Sequence, residues 1–218
     1  TEFRGKERAS VAKSEKAKYF AELSGSAVSP ILPERLIADL QKVLPEDAVI
    51  VADPGTPCPY VSAYYELPKA GRYFISNRAH GALGYSMPAT IGAAFGRPNS
   101  KIVGIMGDGS FGFTAGELES VVRYNIPVTL LVCSNSVFGW IKAGQKAGFG
   151  ERYFSVDFSC TRHDAVAEAF GLQAFRVDDP AELQSTLAKA IAVDGPTLVD
   201  VICQPLNEAR APVSEWVA

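Results

Sequence analysis

Three stretches of the chain, Ala48 to Ala52, Lys101 to Met106 and Val128 to Cys133, are nearly unbroken apolar runs. Runs of this length, without a polar residue at every second position, are typical of strands buried on both faces of a parallel sheet. Between and around them the spacing changes from runs to helical periodicity. Pro33-Glu34 opens a helix that reaches Leu44, with Leu36, Ile37, Leu40 and Leu44 on one face. A small-residue helix is predicted over Pro88 to Phe95. A further helix is predicted over Thr114 to Tyr124, where Thr114 and Glu117 have capping-box spacing. Two more follow over Asp164 to Phe170 and Ala181 to Ala192, and Thr197 to Val201 is a last strand. A short strand is predicted at Arg72 to Ile75. Asp53 to Pro59, Asn77 to Gly84 and Gly107 to Gly112 carry the Gly and Pro of turns and loops, and an aromatic segment runs to Leu67.

Strands alternating with helices predict an α/β fold, a doubly wound, mainly parallel sheet with helices on both faces. In such sheets ligands bind beyond the carboxyl ends of the strands. The segment before this pattern differs. Glu7 to Leu23 is rich in Ala, Lys and Glu, and its apolar positions Val11, Ala12, Tyr19, Phe20 and Leu23 form a thin stripe. It reads as a linker helix that docks on a neighbour, and the Ser/Pro-rich stretch after it reads as a boundary. The expected organisation is a linker over residues 1–26 from a preceding domain, a globular domain over 27–206 and a tail over 207–218.

Composition mainly excludes. With 218 residues, 47% of them hydrophobic, the chain can bury a full core. The net charge of -3 and the lack of a Lys/Arg cluster argue against nucleic acid as a partner. No apolar stretch approaches the roughly 20 residues that cross a bilayer, and Thr1 to Lys18 is charged rather than signal-like, so no membrane partner and a cytoplasmic location are expected. Cys58, Cys133, Cys160 and Cys203 are scattered, without a CxxC pair, so neither a zinc site nor a disulfide framework is expected.

The chemistry concentrates at Gly107-Asp108-Gly109-Ser110-Phe111-Gly112, directly after a buried strand. The spelling GxGxxG suggests a dinucleotide fold, but a carboxylate inside the turn would repel a pyrophosphate unless a cation lay between them. The next strand also ends in Ser134-Asn135, where an NAD-binding fold needs an acidic residue for the ribose hydroxyls. Both departures make sense if a divalent cation bridges protein and diphosphate. Asp108 and Asn135 end successive strands and so share one rim of the sheet. Oxygen donors of this kind suit a hard ion such as Mg²⁺, while Gly109 lets the backbone approach a phosphate group.

GDGSF, then Gly116-Glu117-Leu118, then Ser134-Asn135 followed by Gly139, resembles the cofactor motif of the thiamine diphosphate (ThDP) enzymes. The likeness is to the C-terminal, diphosphate-binding domain of the acetolactate synthase and 2-keto-acid decarboxylase type, which includes the pyruvate oxidase-like enzymes. Ser134 replaces the first of the motif's two asparagines. The resemblance implies that Asp108, the Asn135 side chain and the Val137 carbonyl hold Mg²⁺. It also places Gly107, Asp108, Gly109, Ser110, Asn135, Val137, Phe138 and Gly139 around the cofactor. Asp53-Pro-Gly55-Thr56 resembles the family's first diphosphate loop, with Gly55 and Thr56 as donors. Gly81-Ala82-Leu83-Gly84-Tyr85-Ser86-Met87-Pro88-Ala89 resembles its next segment, which puts the Gly81 carbonyl against the aminopyrimidine and makes Leu83 the apolar wedge under the bent cofactor.

The family therefore implies an enzyme that decarboxylates or carboligates 2-keto acids, aldehydes or related carbonyl compounds through a ThDP carbanion. Gly144 stands where acetolactate synthases carry Trp, which argues against a standard member of that group. His80, three residues before Leu83, is a candidate acid or hydrogen-bond donor at the reacting end. The activating Glu of the family lies in a separate pyrimidine-binding domain, which these residues do not resemble. It must come from a full-length chain or a second subunit, in a homodimer or homotetramer, so this chain alone should be inactive. Two other readings differ in class: a non-catalytic structural or regulatory subunit, against which the retained Asp108, Asn135, Gly55 and Leu83 argue, and an NAD-binding Rossmann domain.

Overall fold

The computed structural model describes residues 5–205 and Glu208. Six strands form one sheet: β1 (Val49–Ala52), β2 (Phe74–Ile75), β3 (Ile102–Gly107), β4 (Val128–Ser134), β5 (Gln173–Val177) and β6 (Thr197–Ile202). Their order is β2-β1-β3-β4-β6-β5, and every pairing is parallel. The apolar runs are continuous because both faces are covered. Along β1, Val49 and Val51 enter one core, while Ile50 and Ala52 enter the other. Along β4, Leu130 and Val132 face one side, and Leu131 and Cys133 the opposite side. This is the period-2 alternation of a strand with apolar partners above and below.

Helices α2 (Pro33–Val43), α3 (Pro57–Tyr64) and α9 (Pro180–Ala192) supply one face through Leu36, Leu40, Tyr60, Leu183 and Leu187. Helices α4 (Ser86–Gly96), α6 (Leu118–Arg123) and α8 (His163–Phe170) supply the other through Met87, Leu118, Val121 and Ala167. The fold is thus α/β and doubly wound, as the run-and-helix pattern implies. Helix α1 (Gly5–Ser24) has no buried residue, and only its last turns touch the core, where Tyr19 and Phe20 are half-buried and the Phe20 ring stacks on Tyr64 at 4.7 Å. The expected tail falls outside the described residues except for Glu208.

Several elements differ from the expectations. Gly107 to Gly112 is not a turn: α5 spans Asp108–Thr114 and begins directly at the end of β3. The helix expected over Thr114 to Tyr124 is broken into a 3-10 turn at Ala115–Glu117 and α6. No capping box forms, because Thr114 makes no side-chain cap and its Oγ1 is buried without a hydrogen-bond partner. Pro57 and Pro59 sit at the start of α3, not in a turn; proline is tolerated in a first helical turn because its missing N–H would be unpaired there anyway. Two elements carry no clear pattern in the sequence. Helix α7 (Gly139–Gly148) contains three glycines, and β5 is an edge strand that buries fully only Val177.

The sheet switches direction between β1 and β3: the chain first leaves β1 outward to β2, then returns to β1's other side for β3. Ligands of doubly wound sheets sit at such a point. Helix α4 packs close enough here that Gly104 of β3 has no room for a side chain. A Cβ would collide with Thr90 Oγ1 and press on Leu130 Cδ2 at 3.2 Å. Gly104→Ala is therefore expected to destabilise the fold by about 1–3 kcal/mol, the cost of overpacking a dense core. Urea unfolding measures it, and an unchanged midpoint would show that α4 yields freely.

Candidate cofactor site

The carboxyl ends of β1, β3 and β4 open onto a cavity of about 470 Å³. Its polar floor is built from three loop or helix starts. Asp53 to Thr56 follow β1, Gly107 to Ser110 end β3 and begin α5, and Asn135, Val137 and Gly139 follow β4. The outer wall carries Arg78, His80, Gly81 and Leu83 from the loop before α4. Phe138, Trp140 and Ile141 form an apolar side.

Asp108 is 5% exposed, and three backbone donors hold its carboxylate. Gly109 N donates to Oδ1 at 2.8 Å, while Asn135 N and Ser136 N donate to Oδ2 at 2.7 and 2.6 Å. Burial pushes the Asp108 carboxyl up from its ordinary value, and the bonds from Asn135, Ser136 and Gly109 oppose that push. A carboxylate has about four lone-pair sites, so three donors leave one direction for a further cation. Asn135 lines the same cavity, and its Oδ1 accepts from Val137 N at 3.3 Å. Ser136 adopts φ 56°, a left-handed conformation that turns the chain so that successive N–H groups face Asp108.

The donor set fits a hard divalent ion. Among the described residues no cluster of three His, Cys, Asp or Glu side chains could hold a metal. A carboxylate, an amide oxygen and a carbonyl need further oxygens from elsewhere, and a diphosphate provides them. Gly109 faces the Phe138 ring so closely that a Cβ would lie 2.9 Å from Cδ1. Only glycine leaves this cradle open.

The loop from Gly81 to Gly84 is tied to the same floor. Gly81 and Gly84 have φ of 62° and 87°, where other residues are strained. Gly84 N donates to both Asp53 Oδ1 at 3.1 Å and Ser110 Oγ at 2.9 Å. Asp53, fully buried, also accepts from Ser86 N at 3.1 Å and from the Ser86 hydroxyl at 2.5 Å. Leu83 is thereby held over the loop after β1, where its Cδ2 would lie 3.6 Å from a Cβ at Gly55. Thr56 precedes α3 without using its hydroxyl as a cap, which leaves that hydroxyl available.

Every residue singled out in the sequence lines this one cavity: Gly55, Thr56, His80, Gly81 and Leu83 on one side, and the residues from Gly107 to Ser110 and from Asn135 to Gly139, apart from Ser136, on the other. His80 is exposed at the rim. Two contributors lacked a sequence signal. Asp53 acts through a segment some thirty residues later, and Arg78 donates to the Pro54 carbonyl at 2.7 Å, which fixes a guanidinium at the rim. Only the Asp-Pro-Gly spelling after β1 hinted at the first.

Comparison with known proteins agrees with this geometry. Residues 53–201 match the family model described as the thiamine pyrophosphate enzyme, C-terminal TPP binding domain. The chain belongs to this family. A probable acetolactate synthase large subunit of Methanococcus aeolicus is 31% identical over 182 residues, 81% of this chain and 30% of that protein. An acetolactate synthase of Bacillus subtilis is 30% identical over 169 residues, 78% of this chain and 29% of its own length. The thiamine diphosphate-dependent 4-hydroxybenzoylformate decarboxylase of Rhodococcus jostii shares the fold with a TM-score of 0.77 at 24% identity, over 84% of this chain and 34% of that one. The chain thus spans about a third or less of these relatives. Among the described residues no helix is long and apolar enough to cross a membrane.

Asp53→Ala would leave the N–H and hydroxyl of Ser86 without their acceptor in a buried site. The expected loss of stability is about 3 kcal/mol, from unpaired buried donors. Chemical denaturation measures it; a loss below about 1 kcal/mol would mean that Asp53 does not anchor the Gly84 loop.

Proposed function

We propose that this domain holds the diphosphate and Mg²⁺ end of thiamine diphosphate in an enzyme that decarboxylates or carboligates 2-keto acids or related carbonyl compounds. The observation that carries this reading is the Asp108 carboxylate, buried at the end of β3 with three backbone donors, in the same cavity as Asn135, which follows β4. Asp108, the Asn135 side chain and the Val137 carbonyl would ligate the ion. Gly107, Gly109, Ser110, Gly55 and Thr56 would approach the phosphate oxygens, and Phe138 and Gly139 would close the cradle. The Gly81 carbonyl would accept from the aminopyrimidine, and Leu83 would support the bend between the two rings. When bound, the cofactor supplies an electron sink for the carbonyl carbon of the substrate.

The chain's own part is to bind, orient and exclude water. Phe138, Trp140 and Ile141 present an apolar wall to the reacting end. His80, exposed at the rim, would donate a hydrogen bond or proton to substrate oxygen. The acid-base group on the pyrimidine side would come from a pyrimidine-binding domain of a full-length chain or a second subunit, in a homodimer or homotetramer. The short coverage of the relatives supports this division of the site. A cytoplasmic enzyme acting on small molecules is the corresponding setting, and α1 with residues 1–26 would be the link to the preceding domain.

The test uses the full-length protein with ThDP, Mg²⁺ and a panel of 2-keto acids that includes pyruvate and benzoylformate. Carbon dioxide release that requires both ThDP and Mg²⁺ is expected. Asp108→Ala should abolish Mg²⁺-dependent ThDP binding in calorimetry, because the site loses its only charged protein ligand. Unchanged cofactor affinity in that variant would refute the metal assignment.

Leu83→Ala separates the wedge from simple packing. Mg²⁺ and diphosphate contacts stay intact, so kcat should fall at least tenfold while ThDP affinity changes by less than about threefold. Parallel losses of both would make Leu83 a packing residue only.

A further inference from the structure

Behind the floor of the cavity, and outside its lining, lies a buried polar network that cofactor contacts do not use. Ser134, the last residue of β4, is 6% exposed; His163, the first residue of α8, is 6% exposed; Asp200 of β6 is fully buried. The Ser134 hydroxyl donates to Asp200 Oδ1, and His163 Nδ1 lies 2.8 Å from the same hydroxyl oxygen. Arg176 of β5 bonds the other Asp200 oxygen, Oδ2.

The bonding pattern assigns the protons. An ionised carboxylate only accepts, so the single Ser134 proton goes to Asp200. The hydroxyl oxygen must then accept from His163, which places a proton on Nδ1. Burial pushes the Asp200 carboxyl up, but the nearby His163, whose Nδ1 lies 3.5 Å from Oδ1, the bond from Ser134 and the charge of Arg176 outweigh it and hold it below its usual range. This arrangement is not that of a hydrolytic triad, because the serine proton is committed to the carboxylate and the hydroxyl faces no cavity.

The imidazole also has a second neighbour. Its ring meets Phe111 edge-on, with centroids 5.3 Å apart and planes at 83°. Phe111 is buried on α5, three residues after Asp108; Ser134 directly precedes Asn135. One side chain therefore touches both segments that carry the candidate metal ligands.

We propose that His163, anchored by Asp200 and Arg176, is a positioning residue that sets the spacing between Asp108 and Asn135 and thereby the affinity for Mg²⁺. The proposal rests on the ThDP and Mg²⁺ reading of the cavity. It gives Ser134 a task of its own: the hydroxyl couples the end of β4 to His163 and Asp200 at once. Supporting residues of this kind usually shift metal affinity by about 10–100-fold when removed.

The test compares wild type, His163→Ala and Ser134→Ala in the full-length protein. Calorimetry at saturating ThDP measures the Mg²⁺ dissociation constant, at a temperature where melting curves show each protein fully folded. Ser134→Ala removes one hydroxyl and leaves the Asp200–Arg176 pair in place, so it carries the test if His163→Ala does not fold. A weakening of Mg²⁺ binding by about tenfold or more is expected in each folded variant, even where the cofactor-free melting temperature is nearly unchanged. A network that served stability alone would lower the melting temperature and leave the Mg²⁺ constant of the folded protein within about twofold, and that result overturns the positioning role. Absence of Mg²⁺-dependent ThDP binding in wild type would instead overturn the reading on which the proposal rests, and the proposal with it.

Discussion

A buried carboxylate at the end of β3 sets the geometry on which the site depends. Asp108 draws the backbone N–H groups of Asn135 and Ser136 toward it from the end of β4, across the sheet edge. Parallel pairing alone aligns β3 and β4 only as far as Gly107 and Cys133. Beyond that register the two strands have no ladder, and without Asp108 the start of α5 and the segment after β4 would be free to separate. The charge is costly to bury, which is why its pKa is raised despite three donors. A cation at the remaining lone pair would remove that cost. The fold thus keeps at its switch point an unfavourable buried charge that a divalent ion, as proposed, would offset.

Much of the architecture was legible because its signal is local. The continuous runs of β1, β3 and β4 need apolar partners on both faces, and that requirement alone implies layers of helix above and below. Where the sequence misled, a tertiary contact overruled local preference. Gly109 and Gly112 make Gly107 to Gly112 look like a turn, since glycine disfavours helix interiors by about 1 kcal/mol. The segment is helical because burial of Phe111 and the Asp108 bonds outweigh that preference. Edge strand β5 escaped for the opposite reason: it buries too little apolar surface to produce a run.

The same distinction explains the site. That Asp108, Gly109 and Asn135 meet in one cavity could be read directly, because each sits at or just after a strand end. Asp53 could not, because its partners Gly84 and Ser86 lie far along the chain and the contact exists only after β1 and α4 are packed together. Arg78 likewise becomes part of the site only through the Pro54 carbonyl. The supporting residues His163, Asp200 and Arg176 come from α8, β6 and β5, three elements with no motif in common. Sequence spacing shows the groups that touch a ligand; the groups that aim them are brought in by the fold.

These long-range bonds form one connected path across the rim. Asp53 after β1 and Ser110 of α5 share the Gly84 N–H. Ser110 lies two residues beyond Asp108, which holds Asn135 and Ser136, and Ser134 beside them is held by Asp200 of β6. The carboxyl ends of β1, β3, β4 and β6 are thus tied by side chains in addition to the backbone ladder. Leu83 is the neighbour of Gly84 and is therefore registered to the Asp108 side of the cavity by the same bonds. A shift at the start of α5 reaches the loop that carries Leu83 through the Gly84 N–H, which Ser110 and Asp53 share, so the two sides of the cavity keep one register.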